Sequence, residues 1–260
     1  MTDNKRALLL SRLNEIGSSL SKTDKALALI GLGSVGVELD RLDEYSDLDF
    51  FVIVETGYKN DFINDLSWLS SIQPIAYAFR NTQDGYKLLF QDGVFCEFAV
   101  FEEPELKQIP FAPGRIVWKK AGVSDAIHIP RQSNRPKEEH SAERSVGEAL
   151  TNLYVGLHRY HRGEKLSAMR FIQVYAVDRI LELSEKIGSE TPPFRDVSSP
   201  ERRAEQRHPT LAHSLPEFIQ GYERSVESAK AILSFLESHF EVDGIMKRAI
   251  LDLCNKHPTA

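Results

Sequence analysis

Asp47 and Asp49 stand one residue apart, thirteen and fifteen positions after Ser34, and an apolar run from Phe50 to Val54 follows them at once. In an extended strand side chains alternate between faces, so this spacing predicts two carboxylates on one face and Leu48, Phe50, Val52 and Val54 on the other. Like charges so placed repel unless a cation joins them. Hard divalent ions such as Mg²⁺ take oxygen ligands, commonly one or two carboxylates together with substrate phosphates, so the pair reads as a phosphate-handling metal site.

Two further features support that chemistry. Gly31, Gly33 and Gly36 surround Ser34 and allow a tight turn whose backbone approaches a ligand closely. Glu97 is a lone acid among Phe95, Cys96, Phe98, Ala99 and Val100, where an unpaired buried charge is costly. It is therefore expected to meet a metal or to take up a proton. The plainer alternative makes Ser46-Asp47-Leu48-Asp49 a strand entry with a solvated turn and Glu97 an edge residue. The concurrence of turn, acid pair and third acid favours catalysis.

The elements that must position these residues follow from periodicity. Leu9, Leu13, Ile16 and Leu20 recur at helical spacing, which predicts an amphipathic helix over roughly Asp3 to Leu20. Strands are expected at Ala26 to Leu32, Asp47 to Val54, Pro74 to Arg80, Tyr86 to Phe90, Val94 to Phe101 and Arg115 to Lys119, with helices at Val35 to Arg41 and Asp61 to Ser70. The expected fold class is α/β in the α+β sense: a mixed sheet with flanking helices, followed by an all-α bundle. Gly122 to Glu139 is polar and holds Pro130 and Pro136, which places the boundary between a catalytic domain at 1–135 and a helical substrate-binding domain at 136–260.

In the second half, Val146, Leu150, Leu153, Leu157 and Tyr160 mark one helix, and Leu166, Met169, Ile172, Ala176, Ile180 and Leu183 a second, apolar around much of its circumference. A Pro-rich loop from Gly188 to Pro200 follows, and Leu215 to Phe240 and Gly244 to Cys254 supply the last helices. Arg170, Gln173 and Asp178 are polar on the most apolar helix and are candidates for contact with a polar acceptor. Arg202, Arg203 and Arg207 suit phosphate or a solvated face, and Arg203 with His208 matches the R-x4-H spacing of helical ribonuclease domains. His158 and His161 lie near one helical turn apart but lack an evident third ligand, so a surface pair is expected. Trp118 and Tyr86 suit ring stacking or core packing.

Composition narrows the function. The net charge of −6 argues against a general nucleic-acid binder, since such proteins neutralise phosphates with Lys and Arg. The charged N-terminus and the short apolar stretch Ala7 to Leu10 predict neither signal peptide nor membrane span, hence a cytoplasmic protein. Cys96 and Cys254, far apart, suggest neither a disulfide framework nor a zinc site.

Leu32-Gly33-Ser34, twelve residues, Asp47-Leu48-Asp49-Phe50 and a distant acid on a strand together resemble the nucleotidyltransferase fold shared with DNA polymerase β, over about the first 120 residues. The whole chain, including Gly163-Glu164-Lys165-Leu166-Ser167-Ala168-Met169-Arg170-Phe171-Ile172-Gln173 and Glu201-Arg202-Arg203, resembles the lincosamide nucleotidyltransferases of the B type. The resemblance implies that Gly33 and Ser34, with Ser46 and Arg41, hold a nucleoside triphosphate such as ATP, and that Asp47 and Asp49 bind Mg²⁺, with two ions in all. Glu97 would complete the metal site or act as a base, a role suited to a buried carboxylate with a raised pKa. The reaction implied is adenylyl transfer to a hydroxyl of a small-molecule acceptor held between the domains, with release of pyrophosphate, in a homodimer. The basic residue many members carry shortly after the serine is absent from Val35 to Glu38, which leaves Arg41 as the first cation. Alternatives are transfer to a protein or RNA within a toxin-antitoxin or regulatory system, and an inactive nucleotide-binding module.

Overall fold

The computed structural model describes residues 2–130, 141–188 and 201–256. The chain divides into two compact units, Met1–Pro136 and Lys137–Ala260, and the expected boundary at 135/136 lies outside the described residues. Among the described residues, no helix is long and apolar enough to cross a membrane.

The first unit opens with α1 (Thr2–Leu20), whose Leu9, Leu13, Ile16 and Leu20 are fully buried, as their spacing requires. Burying side chains of this size stabilises by about 1.5–3 kcal/mol each. Six strands follow: β1 (Ala26–Gly31), β2 (Leu48–Val54), β3 (Ile75–Arg80), β4 (Gly85–Phe90), β5 (Phe95–Glu102) and β6 (Arg115–Lys119). Their order across the sheet is β3-β4-β5-β2-β1-β6; the β2 and β5 pair is parallel and the other pairs antiparallel, giving the mixed sheet.

One face of the sheet, with Leu48, Phe50, Val52, Val54, Cys96, Phe98 and Val100, packs with α1 in the main core. The other face carries a smaller cluster around Ile30, Ile53, Phe101 and Phe111. Register at the centre is pinned by aromatic stacking. Phe50 lies parallel to Phe98 with centroids 5.2 Å apart, Tyr86 stacks on Phe98 from β4, and Trp68 meets the same ring edge-on. Because a one-residue slip would turn every side chain of a strand to the opposite face, this stack fixes which residues of β2 and β5 lie on the face with the smaller cluster.

Two expected helices of the first unit are broken. Val35 to Arg41 is not helical throughout; 3₁₀ turns at Gly33–Val35 and Leu39–Arg41 flank non-helical residues. The chain is too crowded there for a regular helix, since a Cβ on Gly36 would stand 2.8 Å from Gly31 O and from the Leu32 backbone. Asp61 to Ser70 splits into α2 (Lys59–Asn64) and α3 (Ser67–Ser70), because the Asp65 carboxylate accepts from both Ser67 N and Ser67 Oγ and starts a new turn.

Among the described residues, the regular elements of the second unit are all helices: α4 (Ala142–His161), α5 (Lys165–Met169), a π segment (Arg170–Tyr175), α6 (Ala176–Ile187), α7 (Ala204–Arg207), α8 (Pro209–Ala212), α9 (Leu215–Phe218), α10 (Ser225–His239) and α11 (Gly244–Cys254). Its core joins Leu150, Leu153 and Leu157 of α4 to Ile172, Ile180, Ile232 and Ile250. Gly156 permits the closest approach, since a Cβ there would stand 2.6 Å from Ile172 Cγ1. The helix expected over Leu215 to Phe240 is interrupted at Gly221, whose φ of +94° only glycine adopts readily. The Pro-rich loop expected at Gly188 to Pro200 lies, beyond Gly188 itself, outside the described residues.

Candidate active site

Asp47 and Asp49 lie at the start of β2. Leu48, Phe50, Val52 and Val54 are buried on one face, while Asp47 and Asp49 remain half-exposed at the strand's entry, as alternation requires. Parallel pairing sets Asp49 opposite Glu97, and antiparallel pairing sets Glu97 opposite Lys87 and Lys87 opposite Phe79. One row across four strands therefore reads Phe79, Lys87, Glu97, Asp49.

Glu97 differs from expectation. It is not buried: its side chain is 43% exposed, and its partners are Lys87 Nζ at 3.2 Å and Asn81 Nδ2, which donates to Oε1 at 3.0 Å. Cross-strand register explains the difference, since β4 brings a lysine alongside the acid and the turn after β3 brings an amide. Among the described residues, no three His, Cys, Asp or Glu side chains gather closely enough to hold a metal ion together. Asp49 is the second residue of β2, and Asp47 lies just before the strand, next to Leu48. Their charge reaches through the sheet to Cys96. Burial pushes that thiol well above its usual value; Arg12 opposes the rise, and the fields of Asp47 and Asp49 add to it.

The glycine-serine turn packs directly against this pair. Leu32 N donates to Asp49 O at 2.8 Å, which carries the chain from β1 across to β2. Gly33 follows with φ of +51°, and a Cβ on it would lie 3.7 Å from Asp49 Oδ2. A side chain at Gly33 would thus be strained by its backbone, and its Cβ would come into van der Waals contact with the carboxylate oxygen that a cation or phosphate would approach. The N–H groups of Val35, Gly36 and Glu38 donate to Leu32 O or Gly33 O, which leaves those of Gly33 and Ser34 uncommitted among the described residues. With only three residues in the 3₁₀ turn, the anion-binding capacity here belongs to individual N–H groups and the Ser34 hydroxyl.

The other expected nucleotide contacts are engaged locally. Ser46 Oγ donates to Asp43 Oδ1 and accepts from Asp43 N. Arg41 is ion-paired with Glu38. Among the described residues, Arg115 reaches the turn, donating from Nε and Nη2 to Val35 O at 3.2 and 3.0 Å. Its role depends on a partner 80 residues away, and no local spacing announces it.

In the helical unit the candidate acceptor residues do not form one group. Arg170 is exposed and Asp178 half-buried, whereas Gln173 is buried, donating to Gly221 O at 2.8 Å and to Ser225 Oγ, and accepting from Gly221 N at 2.8 Å. Its amide closes the α9–α10 junction. His208, half of the R-x4-H spacing, is buried and hydrogen-bonded to Ser184 Oγ at 3.0 Å, while Arg203 sits in the left-handed region. His161 Nε2 lies 2.8 Å from Leu253 O and His158 packs on the Tyr154 ring, so this pair is structural. Tyr86 and Trp118 pack against the main core, Tyr86 also donating to Ile63 O.

No protein-family model matches the chain, and no curated protein matches its sequence. Among solved structures it is similar to an aminoglycoside 6-adenyltransferase from Bacillus subtilis, at 13% identity and a TM-score of 0.32, over 94% of this chain and 91% of that one. It is also similar to a nucleotidyltransferase-like protein from Exiguobacterium sibiricum 255-15, at 13% identity and a TM-score of 0.34, over 88% of this chain and 74% of that one. Likenesses this distant assign neither activity nor substrate.

Proposed function

We propose that the chain is a magnesium-dependent nucleotidyltransferase that transfers AMP from ATP to a hydroxyl of a small-molecule acceptor, with release of pyrophosphate. The observation that carries this reading is the packing of the Gly33–Ser34 turn against Asp49, with Asp47 two residues ahead of it and Glu97 in register beside it. Asp47 and Asp49 have the donor chemistry of a hard cation site, and the missing Cβ at Gly33 keeps space beside Asp49 Oδ2. When bound there, Mg²⁺ would neutralise charge on the phosphates of the nucleotide.

The chain's own groups supply positioning and a proton acceptor. Gly33 N, Ser34 N and the Ser34 hydroxyl would hold phosphate oxygens. Lys87 and Asn81 steady the Glu97 carboxylate, which would accept the hydroxyl proton as the acceptor oxygen bonds to the α-phosphorus. The bond from that phosphorus to the bridging oxygen breaks, and pyrophosphate carries the electron pair away. Such transfers depend mainly on alignment and charge stabilisation, so few protein groups are required.

Strand order gives the site a direction. The phosphate turn lies on the β1 side of Asp49 and Glu97 on the β5 side, so the acceptor would approach over β5 and β4. Beyond them, edge strand β3 holds Tyr77 and Phe79, 55% and 52% exposed, in rows with Leu89 and Lys87. Rings at that position suit an acceptor with an apolar ring face, and the motif resemblance favours a lincosamide or related antibiotic.

The test is incubation with Mg²⁺, each nucleoside triphosphate and panels of lincosamides and aminoglycosides, following pyrophosphate and acceptor mass. Addition of a nucleotide to a panel member is expected. Addition to a protein or RNA alone would overturn the small-molecule reading, and nucleotide binding without any pyrophosphate would indicate an inactive module.

A further inference from the structure

We propose that Arg115 sets the phosphate turn, fixing Gly33 and Ser34 against Asp49 and placing an arginine charge behind them. The inference rests on the nucleotide reading above. The turn is bracketed by two long-range contacts. At its entry Leu32 N donates to Asp49 O, and at its exit Val35 O accepts from both Nε and Nη2 of Arg115. Gly33 and Ser34, the residues with uncommitted N–H groups, are the two between these anchors.

The grip is specific to its place in the sheet. Arg115 opens β6 directly opposite Gly31, the last residue of β1. Val35 O folds back over Gly31 so closely that a Cβ there would stand 2.5 Å from it. Gly31 thus admits the carbonyl, and Arg115, its cross-strand neighbour, holds it. A guanidinium grips one acceptor with two donors and retains three more N–H groups.

The charge of Arg115 also differs from those of Arg12 and Arg41. Arg12 is paired with Asp92 and Glu15, and Arg41 with Glu38. Burial lowers the Arg115 guanidinium from its usual value, and among the described residues no carboxylate acts to raise it. A cation held by a neutral carbonyl keeps its field for an incoming anion, and a triphosphate gains more from that field than a monophosphate. Arg115 is thus a positioning residue whose effect should scale with the number of phosphates.

The test compares binding of ATP, ADP and AMP with Mg²⁺ by calorimetry in wild-type, Arg115→Met and Arg115→Lys proteins, together with KM for ATP and kcat from pyrophosphate release. Arg115→Met is expected to weaken ATP roughly 10–100-fold, the scale of a lost charged hydrogen bond, to weaken ADP less, and to leave AMP within about threefold. Arg115→Lys keeps the charge but loses the double grip. It is expected to raise KM for ATP about 3–10-fold with kcat little changed, and it carries the test if Arg115→Met fails to fold. Wild-type ATP affinity in Arg115→Met, or equal losses for ATP and AMP, would overturn the proposal while leaving the nucleotide reading intact. So would the same triphosphate-selective loss in Arg41→Met with Arg115→Met unaffected. If the wild-type protein binds none of the three nucleotides, the nucleotide reading fails, and the role of Arg115 with it.

Discussion

Polar side chains interrupt apolar stretches both at the entry of β2 and along the π segment, and the fold treats the two in opposite ways. At β2 the carboxylates of Asp47 and Asp49 stay half-exposed at a strand end, beside a turn that contributes main-chain donors and no side-chain bulk. In the π segment Gln173 is drawn into the core, and both ends of its amide are matched by Gly221 and Ser225. A satisfied buried amide stabilises one arrangement and has no hydrogen bond left for a ligand. A half-exposed pair of carboxylates at a strand end is the reverse, since it stays within reach of solvent and of a ligand. Under the proposed transfer, acceptor recognition would therefore fall not to Gln173 but to the sheet rows that contain Glu97, Lys87, Phe79 and Tyr77.

The largest effect that bears on this contrast is expected from Gly33→Val. It forces a β-branched residue to φ near +51° and brings bulk against Asp49 Oδ2. Loss of nucleotide transfer by at least about 100-fold, the scale of removing a transition-state donor, should accompany a modest loss of stability. Turnover near wild type would show that the turn does not face the reacting phosphate.

Gln173→Leu should act in the other direction. Leaving the Gly221 groups and Ser225 without their partner is expected to cost about 2–3 kcal/mol, read by urea denaturation, with KM for ATP and for the acceptor unchanged. A raised acceptor KM at unaltered stability would restore Gln173 as a contact residue.

Asp92→Asn gives a smaller effect and a pH signature. Burial alone would raise the Asp92 carboxyl, yet hydrogen bonds from Arg12 and Val94 N and the Arg12 charge hold it below the usual carboxylate value. A group so lowered contributes stability above an unfolded pKa of about 4, and that contribution fades as pH falls through the folded value. The substitution should therefore cost about 1–2 kcal/mol near neutrality, with the two proteins converging in acid. A constant difference down to pH 2 would contradict the ion-pair origin of that stability.

The smallest change is expected at the cysteines. Burial pushes Cys254 up to about 11 and Cys96 higher still, so neither should react with a thiol reagent at pH 8 until the protein unfolds.

Much of this was legible from local spacing. The burial of Leu9, Leu13, Ile16 and Leu20, the alternation through β2, and the hairpin of β4 and β5 follow from periods that sequence displays directly. The acid pair and its turn were legible for the same reason. Other features depend on register between distant strands. Lys87 pairs with Glu97 because β4 and β5 align there, which turns an apparently buried lone acid into a half-exposed, partnered one. Arg115 reaches Val35 because β6 closes on β1. Helix breaks were hidden for steric reasons: Gly36 sits too close to Gly31, and Asp65 competes for backbone donors, effects that helical periodicity does not register.

The central claim is that Asp49 and its neighbours handle a metal-bound triphosphate, and pyrophosphate release is its most direct measure. Wild-type protein should release pyrophosphate from ATP only with a divalent cation and an accepted hydroxyl compound. Asp49→Asn should lose that release by at least about 100-fold while retaining the wild-type unfolding transition. Undiminished release by the folded Asp49→Asn protein would contradict the account.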